Sequence, residues 1–144
     1  MSPDSIFRLS STLALAGWIG LLAFYQTTWI GKVLTGTIIT FLCLLYAWLI
    51  ASNLAVFDAE SFSSLDHIAR LFKSREALLA GWIHYLAFDL FTGIYIVNNA
   101  RLHGIGFWPL LPCLFFTFML GPVGLLLYLL LRWFQSKQYF TDTE

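Results

Sequence analysis

Charge is scarce in this sequence. Only 11% of its 144 residues are Asp, Glu, Lys or Arg, under half of the roughly 25% that a water-soluble domain carries. Acidic and basic residues balance to a formal net charge of 0, so no basic field exists to grip a phosphate backbone, and nucleic acid is excluded as a partner. Two cysteines cannot build the disulfide framework of a small secreted domain. A phosphate-cradling glycine loop and a nucleophile elbow are both missing, which leaves ATP-driven transport and serine hydrolysis without support. The alternating ten-residue pattern of a membrane barrel is missing too.

What the chain has instead is apolar length: 59% of it is hydrophobic and 18% aromatic. Four runs approach the roughly 20 residues that a helix needs to cross a hydrocarbon core about 30 Å thick. They predict spans over about 9–26, 33–51, 77–97 and 110–134 in a single domain, 1–144. Lipid demands that every backbone polar group be satisfied within the protein, so the expected fold is an all-α integral membrane protein, a four-helix transmembrane bundle. The first run lacks a strong positive flank and an Ala-x-Ala site, so it is read as a permanent span rather than a signal peptide. Six lysines and arginines flank one side of the four spans (Arg8, Arg70, Lys73, Arg75, Arg132, Lys137) and two the other (Lys32, Arg101), which predicts cytoplasmic N- and C-termini. Trp29, Trp108 and Trp133 fall near span ends, where such rings anchor at the interface.

Between the second and third spans, after Asp58 and Glu60, residues 63–73 repeat Leu65, Ile68, Ala69 and Phe72 at i, i+3, i+4 and i+7. This predicts a short amphipathic helix capped by Ser63 or Ser64. With Arg70, Lys73 and Arg75 at its end, it either lies on anionic headgroups or packs as a lid on the bundle; both readings stand.

The third span carries the chemistry. A carboxylate inside a span costs at least about 2.5 kcal/mol on insertion scales, so Asp89 is expected to face the bundle interior. Trp82, Tyr85 and Asp89 are spaced i, i+3 and i+7 on one face, whereas His84 lies about 140° away around the axis, on a stripe with Phe88. Asp89, His84 and Tyr85 are the candidate proton-transfer residues; Trp82, Phe88, Thr117 and Phe118 are the candidate substrate-binding residues. For Asp89 and His84 the alternative is a purely structural hydrogen bond. No metal or cofactor is expected, since His67 and His103 fall in loops on opposite sides; the alternative is a metal or haem site at His84 with carboxylates such as Asp58 or Asp89. Cys43 and Cys113 read as small apolar residues. On the fourth span Thr117, Gly121 and Gly124 form a small-residue stripe that lets another helix approach. Pro122 is expected to kink that span and free the Phe118 carbonyl. The aromatic load suits a long apolar ligand between helices.

The motifs Phe62-Ser63-Ser64-Leu65, Leu79 to Gly93 around His84 and Asp89, Leu111-Pro112-Cys113 and Gly121-Pro122-Val123-Gly124 resemble the abscisic-acid-deficient-four-like family of small membrane proteins. The resemblance covers roughly Phe62 to Arg132, with the first two spans adding only hydrophobicity. It implies a connection to carotenoids, because plant members are required for making neoxanthin from violaxanthin, a step that opens an epoxide and creates an allene. No plastid transit peptide is read here, which fits a bacterial or cyanobacterial type of member in an inner or thylakoid-type membrane.

The function expected is a membrane-embedded protein of carotenoid or isoprenoid metabolism, a cofactor-independent isomerase acting on a polyene or its epoxide. The competing expectation is a non-enzymatic protein that binds pigment or lipid, or that assembles with a membrane enzyme. A proton-linked transporter built on Asp89 and His84 would need oligomers to enclose a pore. The partners expected are membrane lipids, a carotenoid or other long apolar ligand, and a second copy or a membrane enzyme.

Overall fold

The computed structural model describes residues 2–54, 57 and 62–137. Asp58 and Glu60 lie outside the described residues. Six helices are present among the rest: α1 (Pro3–Ala23), α2 (Ile30–Ser52), the short α3 (Leu65–Leu71), α4 (Arg75–Leu102), α5 (Phe107–Leu120) and α6 (Pro122–Ser136). No strand occurs among the described residues. Three of the helices, α1, α2 and α4, are long and apolar enough to cross a membrane.

Local chemistry sets the ends. Ser2, Ser64 and Ser74 accept from the backbone N–H three residues on, capping α1, α3 and α4, and Pro3 begins α1 where no N–H is needed. α2 widens into a π-helical turn at Thr35–Ile39, where Thr40 donates its hydroxyl to the Thr35 carbonyl at 2.8 Å. The amphipathic helix forms where expected; Leu65 at its start is 81% exposed, Ile68 is half-buried, Leu71 is buried, and the Phe72 ring that follows lies against Gly81 of α4.

α4 is the central post. Of its most apolar stretch 56% is buried, against 33% for α1 and 22% for α2. Its beginning lies beside the start of α1, where Arg75 and Asp4 pair at 2.6 Å. Its end lies beside the α1–α2 connection, where Arg101 donates to the Thr27 carbonyl at 2.7 Å. These two ends are called the lower and upper ends below.

The single fourth span expected over 110–134 is not what the chain forms. α5 descends from the upper end, where the Phe107 ring lies 4.5 Å from Tyr25, and stops halfway down α4, where the Tyr85 hydroxyl meets the Phe118 and Met119 carbonyls. At Gly121, with φ +42°, the chain reverses. α6 climbs back to the upper end of α4, where Arg132 and Tyr128 both donate to Asn99 Oδ1. The expected kink at Pro122 is therefore the turn of a helical hairpin. Along the small-residue stripe, Gly124 lies against Thr117 and Cys113, so the two arms of the hairpin pack on each other, and Gly121 receives the Asp89 side chain of α4.

The core records the half depth. Its upper cluster includes Trp18, Leu90, Ile94, Leu110, Leu114 and Tyr128. The lower cluster is built from α1, α2 and α4 through Ile6, Leu42, Leu49, Leu79, Ile83 and Leu86, with nothing from the hairpin. The reversal also moves Arg132 and Lys137 to the upper end, beside Lys32 and Arg101. The six-to-two distribution of basic residues becomes four and four, and the two ends of the described chain lie at opposite ends of α4, which removes the basis for expecting both termini on the cytoplasmic side.

Candidate functional site at the hairpin tip

The tip of the hairpin meets α4 at Tyr85 and Asp89, one turn apart on the same face, as their spacing predicts. Asp89 is 7% exposed. Its carboxylate lies against the α-carbon of Gly121, and its Oδ2 has no hydrogen-bond partner among the described residues. Gly121 is the residue that precedes α6, so the carboxylate sits at the positive end of that helix dipole. The Tyr85 hydroxyl stands at the negative end of α5. It is placed to donate to the Met119 carbonyl at 2.9 Å or the Phe118 carbonyl at 3.1 Å, carbonyls that a broken helix leaves without an amide partner. The Phe118 carbonyl is the one that a proline at 122 was expected to free. Gly121 itself is buried against Asp89, while Met119, Leu120 and Val123 beside it are exposed.

Trp82 completes the stripe. Its ring stacks on Tyr85 with centroids 5.5 Å apart, and its indole N–H donates to Ser11 on α1 at 3.0 Å. Two open hollows adjoin this cluster. The lower, about 510 Å³, is bordered by Asp4, Phe7, Phe72, Arg75, Trp82 and Tyr85. The upper, about 540 Å³, is bordered by Leu15, Trp18, Leu22, Pro112, Phe115 and Phe118. A third, about 650 Å³, lies between α2 and α4 near Lys32, Asn98 and Asn99.

The expected site residues thus divide. Asp89, Tyr85, Trp82 and Phe118 come together. His84 and Phe88 do not join them: both are exposed on the α2 side of α4, their rings 4.5 Å apart, with His84 5.9 Å from Tyr46. Thr117 is fully buried, its hydroxyl donated to the Cys113 carbonyl at 2.8 Å, so it shapes the hairpin rather than a hollow. Among the described residues no three His, Cys, Asp or Glu side chains gather as a metal site.

Comparison with known families bears on this arrangement. A profile of the family described as ABA DEFICIENT 4-like matches residues 5–128, most of the chain. The chain belongs to the ABA DEFICIENT 4-like family. The match takes in α1 and α2, whose residues add only hydrophobicity to the motifs, and extends through the hairpin tip to Tyr128. No curated protein and no solved structure matches the chain.

A second polar cluster of this ABA DEFICIENT 4-like protein was not visible in the sequence. Asn99 Oδ1 accepts from Arg132 Nη1 at 2.7 Å and from the Tyr128 hydroxyl, and the Arg132 guanidinium lies 5.9 Å from the Tyr128 ring centroid. All three are buried. Burying polar groups is costly unless they are hydrogen-bonded, so this knot fixes where α6 ends. A lone amide near the end of a span gives no signal of such a role; only the hairpin brings a residue 33 positions away to it.

Proposed function

We propose that this protein acts within the membrane on a carotenoid or related isoprenoid, as a cofactor-independent isomerase of a polyene or its epoxide. Membership of the ABA DEFICIENT 4-like family supports the carotenoid connection. The observation that carries the chemistry is the buried Asp89 carboxylate, with Oδ2 unpartnered, one turn from a phenol that borders a hollow. For an epoxide, the Tyr85 phenol turns its O–H from the Phe118 and Met119 carbonyls and supplies that proton to the ring oxygen as the C–O bond breaks. The Asp89 carboxylate takes a proton from the adjoining chain carbon. Proton exchange between the two restores both groups, so the product is an isomer and no oxidant or reductant is consumed.

In this reading the protein is multi-pass: α1, α2 and α4 cross the membrane, the hairpin enters and leaves from one side, and the exposed faces of α1, α2 and α4 meet lipid, which the length and apolar character of those three helices support. Surfaces such as Leu44 and Trp48 on α2 are open to a second copy or a membrane enzyme as well. A carrier reading is favoured by one feature, the upper hollow, whose lining includes no titratable side chain. The test uses hosts that make an epoxidised xanthophyll or its parent polyene, with pigments extracted and separated. Asp89→Asn should lower product formation by at least about 100-fold, the lower range for a lost acid–base group. His84→Ala should leave it within about two-fold, since His84 faces away. Full turnover by a folded Asp89→Asn protein overturns the isomerase reading, and unchanged pigment retained by the wild type establishes the carrier.

A further inference from the structure

Charge is distributed unevenly between the two ends of the bundle. Among the described residues Asp4, Asp66 and Glu76 lie with the four lower cations, whereas the upper end, with Lys32, Arg101, Arg132 and Lys137, has no carboxylate. The third hollow, about 650 Å³, opens beneath this basic end. Lys32, Thr35 and Gly36 of α2 form one wall, and Phe91, Ile94 and Asn98 of α4 the other. The π-helical turn that begins at Thr35 shapes the α2 wall, and Gly36 within it has open space where a side chain would stand. Such turns inside α-helices are frequent at functional sites. Along α4 the hollow runs from Leu102 to Phe91, about 16 Å at 1.5 Å per residue, close to one leaflet of a hydrocarbon core about 30 Å thick.

Polar and apolar groups are sorted along that length. α4 has 28 residues, about 42 Å, so centring it on the core leaves roughly four residues outside at each end and puts Asn98 at the boundary, with Lys32 beside it and Phe91 deeper. The polar groups at the boundary are donors. Arg101 donates to Asn98 Oδ1, and because a guanidinium can only donate, the Asn98 amide is fixed with Nδ2 toward Gly31, next to Lys32. Among the described residues Lys32 has no ion-pair partner and Nδ2 no acceptor, and the Thr35 hydroxyl makes no hydrogen bond, whereas Thr37, Thr40 and Thr92 donate theirs to carbonyls of their own helices. An ammonium, an amide and a hydroxyl without a carboxylate match the acceptor oxygens of a phosphate. We propose that the hollow between α2 and α4 binds one anionic phospholipid, its phosphate held by Lys32, Thr35 and Asn98 and an acyl chain laid over Gly36, Ile94 and Phe91. Basic pockets between transmembrane helices take anionic headgroups in this way. The site faces α2, away from the hairpin tip, and is independent of the function proposed above.

The experiment incubates detergent-purified, delipidated protein with equimolar phosphatidylglycerol and phosphatidylcholine of identical acyl chains, and weighs the complexes by native mass spectrometry. One phosphatidylglycerol per chain should be retained, in preference to phosphatidylcholine by at least about ten-fold. Lys32→Ala should lower that retention about five-fold, the effect of one cation at a headgroup, and Thr35→Val should lower it in the same direction. Lys73→Ala, which removes an exposed cation at the lower end, should leave it unchanged. Gly36→Leu has room for its side chain and so keeps the fold; by closing the path of the acyl chain it should lower retention at least about ten-fold. Excess inorganic phosphate should not displace the lipid. Equal retention of the two lipids, or the same response to Lys32→Ala and Lys73→Ala, overturns the proposal. Retention that is indifferent to Gly36→Leu and abolished by inorganic phosphate overturns the lipid and leaves a site for a free anion. A wild-type dimer that Gly36→Leu splits into monomers overturns it too, and gives this face to a second copy of the chain.

Discussion

Gly124 sits where a side chain has no room. A Cβ there would stand 2.5 Å from the Cys113 carbonyl oxygen and closer still to the Thr117 backbone N. Backbone of the facing arm cannot rotate aside as a side-chain tip can. Overpacking of this kind costs about 1–3 kcal/mol, and at about 2–4 °C per kcal/mol for a chain of this size, Gly124→Ala should lower the thermal midpoint in detergent by about 5 °C. Gly20 is the matched control, because a methyl group there would stand 4.0 Å from its nearest neighbours, Ile30 and Leu34. Gly20→Ala should hold or raise the midpoint, since alanine gains about 0.5–1 kcal/mol over glycine inside a helix. Equal behaviour of the two variants would mean that the arms of the hairpin are not in contact.

The hairpin is an element held at both ends: at its tip by Tyr85 on the carbonyls of α5, and at its base by Asn99 on Arg132 and Tyr128. Asn99→Leu keeps the size of the side chain but removes the acceptor of two buried hydrogen bonds, one from a guanidinium. A hydrogen bond to a charged group is worth about 1.5–3 kcal/mol. Loosening should show at Cys113, which is buried within the hairpin. In a Cys43→Ser background, Asn99→Leu should speed thiol labelling of Cys113 several-fold, and Asn98→Leu should not; an unchanged rate for Asn99→Leu would release the base of the hairpin from this knot. How much of this was legible follows the range of the interactions. The apolar runs marked α1, α2 and α4 with ends up to six residues from those of the helices, and helical spacing put Trp82, Tyr85 and Asp89 on one face apart from His84. The reversal at Gly121 was not legible, because a proline within an apolar run permits either a kink or a turn. What decides between them is a contact between Asn99 and Arg132, 33 residues apart, which no local pattern encodes.

At the scale of the whole molecule, the hairpin changes which end of the bundle each charge occupies. Arg8, Arg70, Lys73 and Arg75 lie toward the lower end; Lys32, Arg101, Arg132 and Lys137 lie toward the upper. The bias that flanking lysines and arginines impose on orientation is therefore balanced, and the orientation read from four full spans has no support left. Geometry still makes one firm demand. With α1, α2 and α4 as three crossings, and α5 and α6 entering and leaving at the upper end, reporters fused at the N-terminus and at the C-terminus should lie on opposite sides of the membrane. A reporter inserted at Gly104, between α4 and α5, should share the side of the C-terminal one. If the two terminal reporters instead share a side, α5 and α6 open into one continuous span in the bilayer. Arg132 is then carried away from Asn99, Gly121 no longer lies against Asp89, and the lower hollow beside Tyr85 is covered by the extended span.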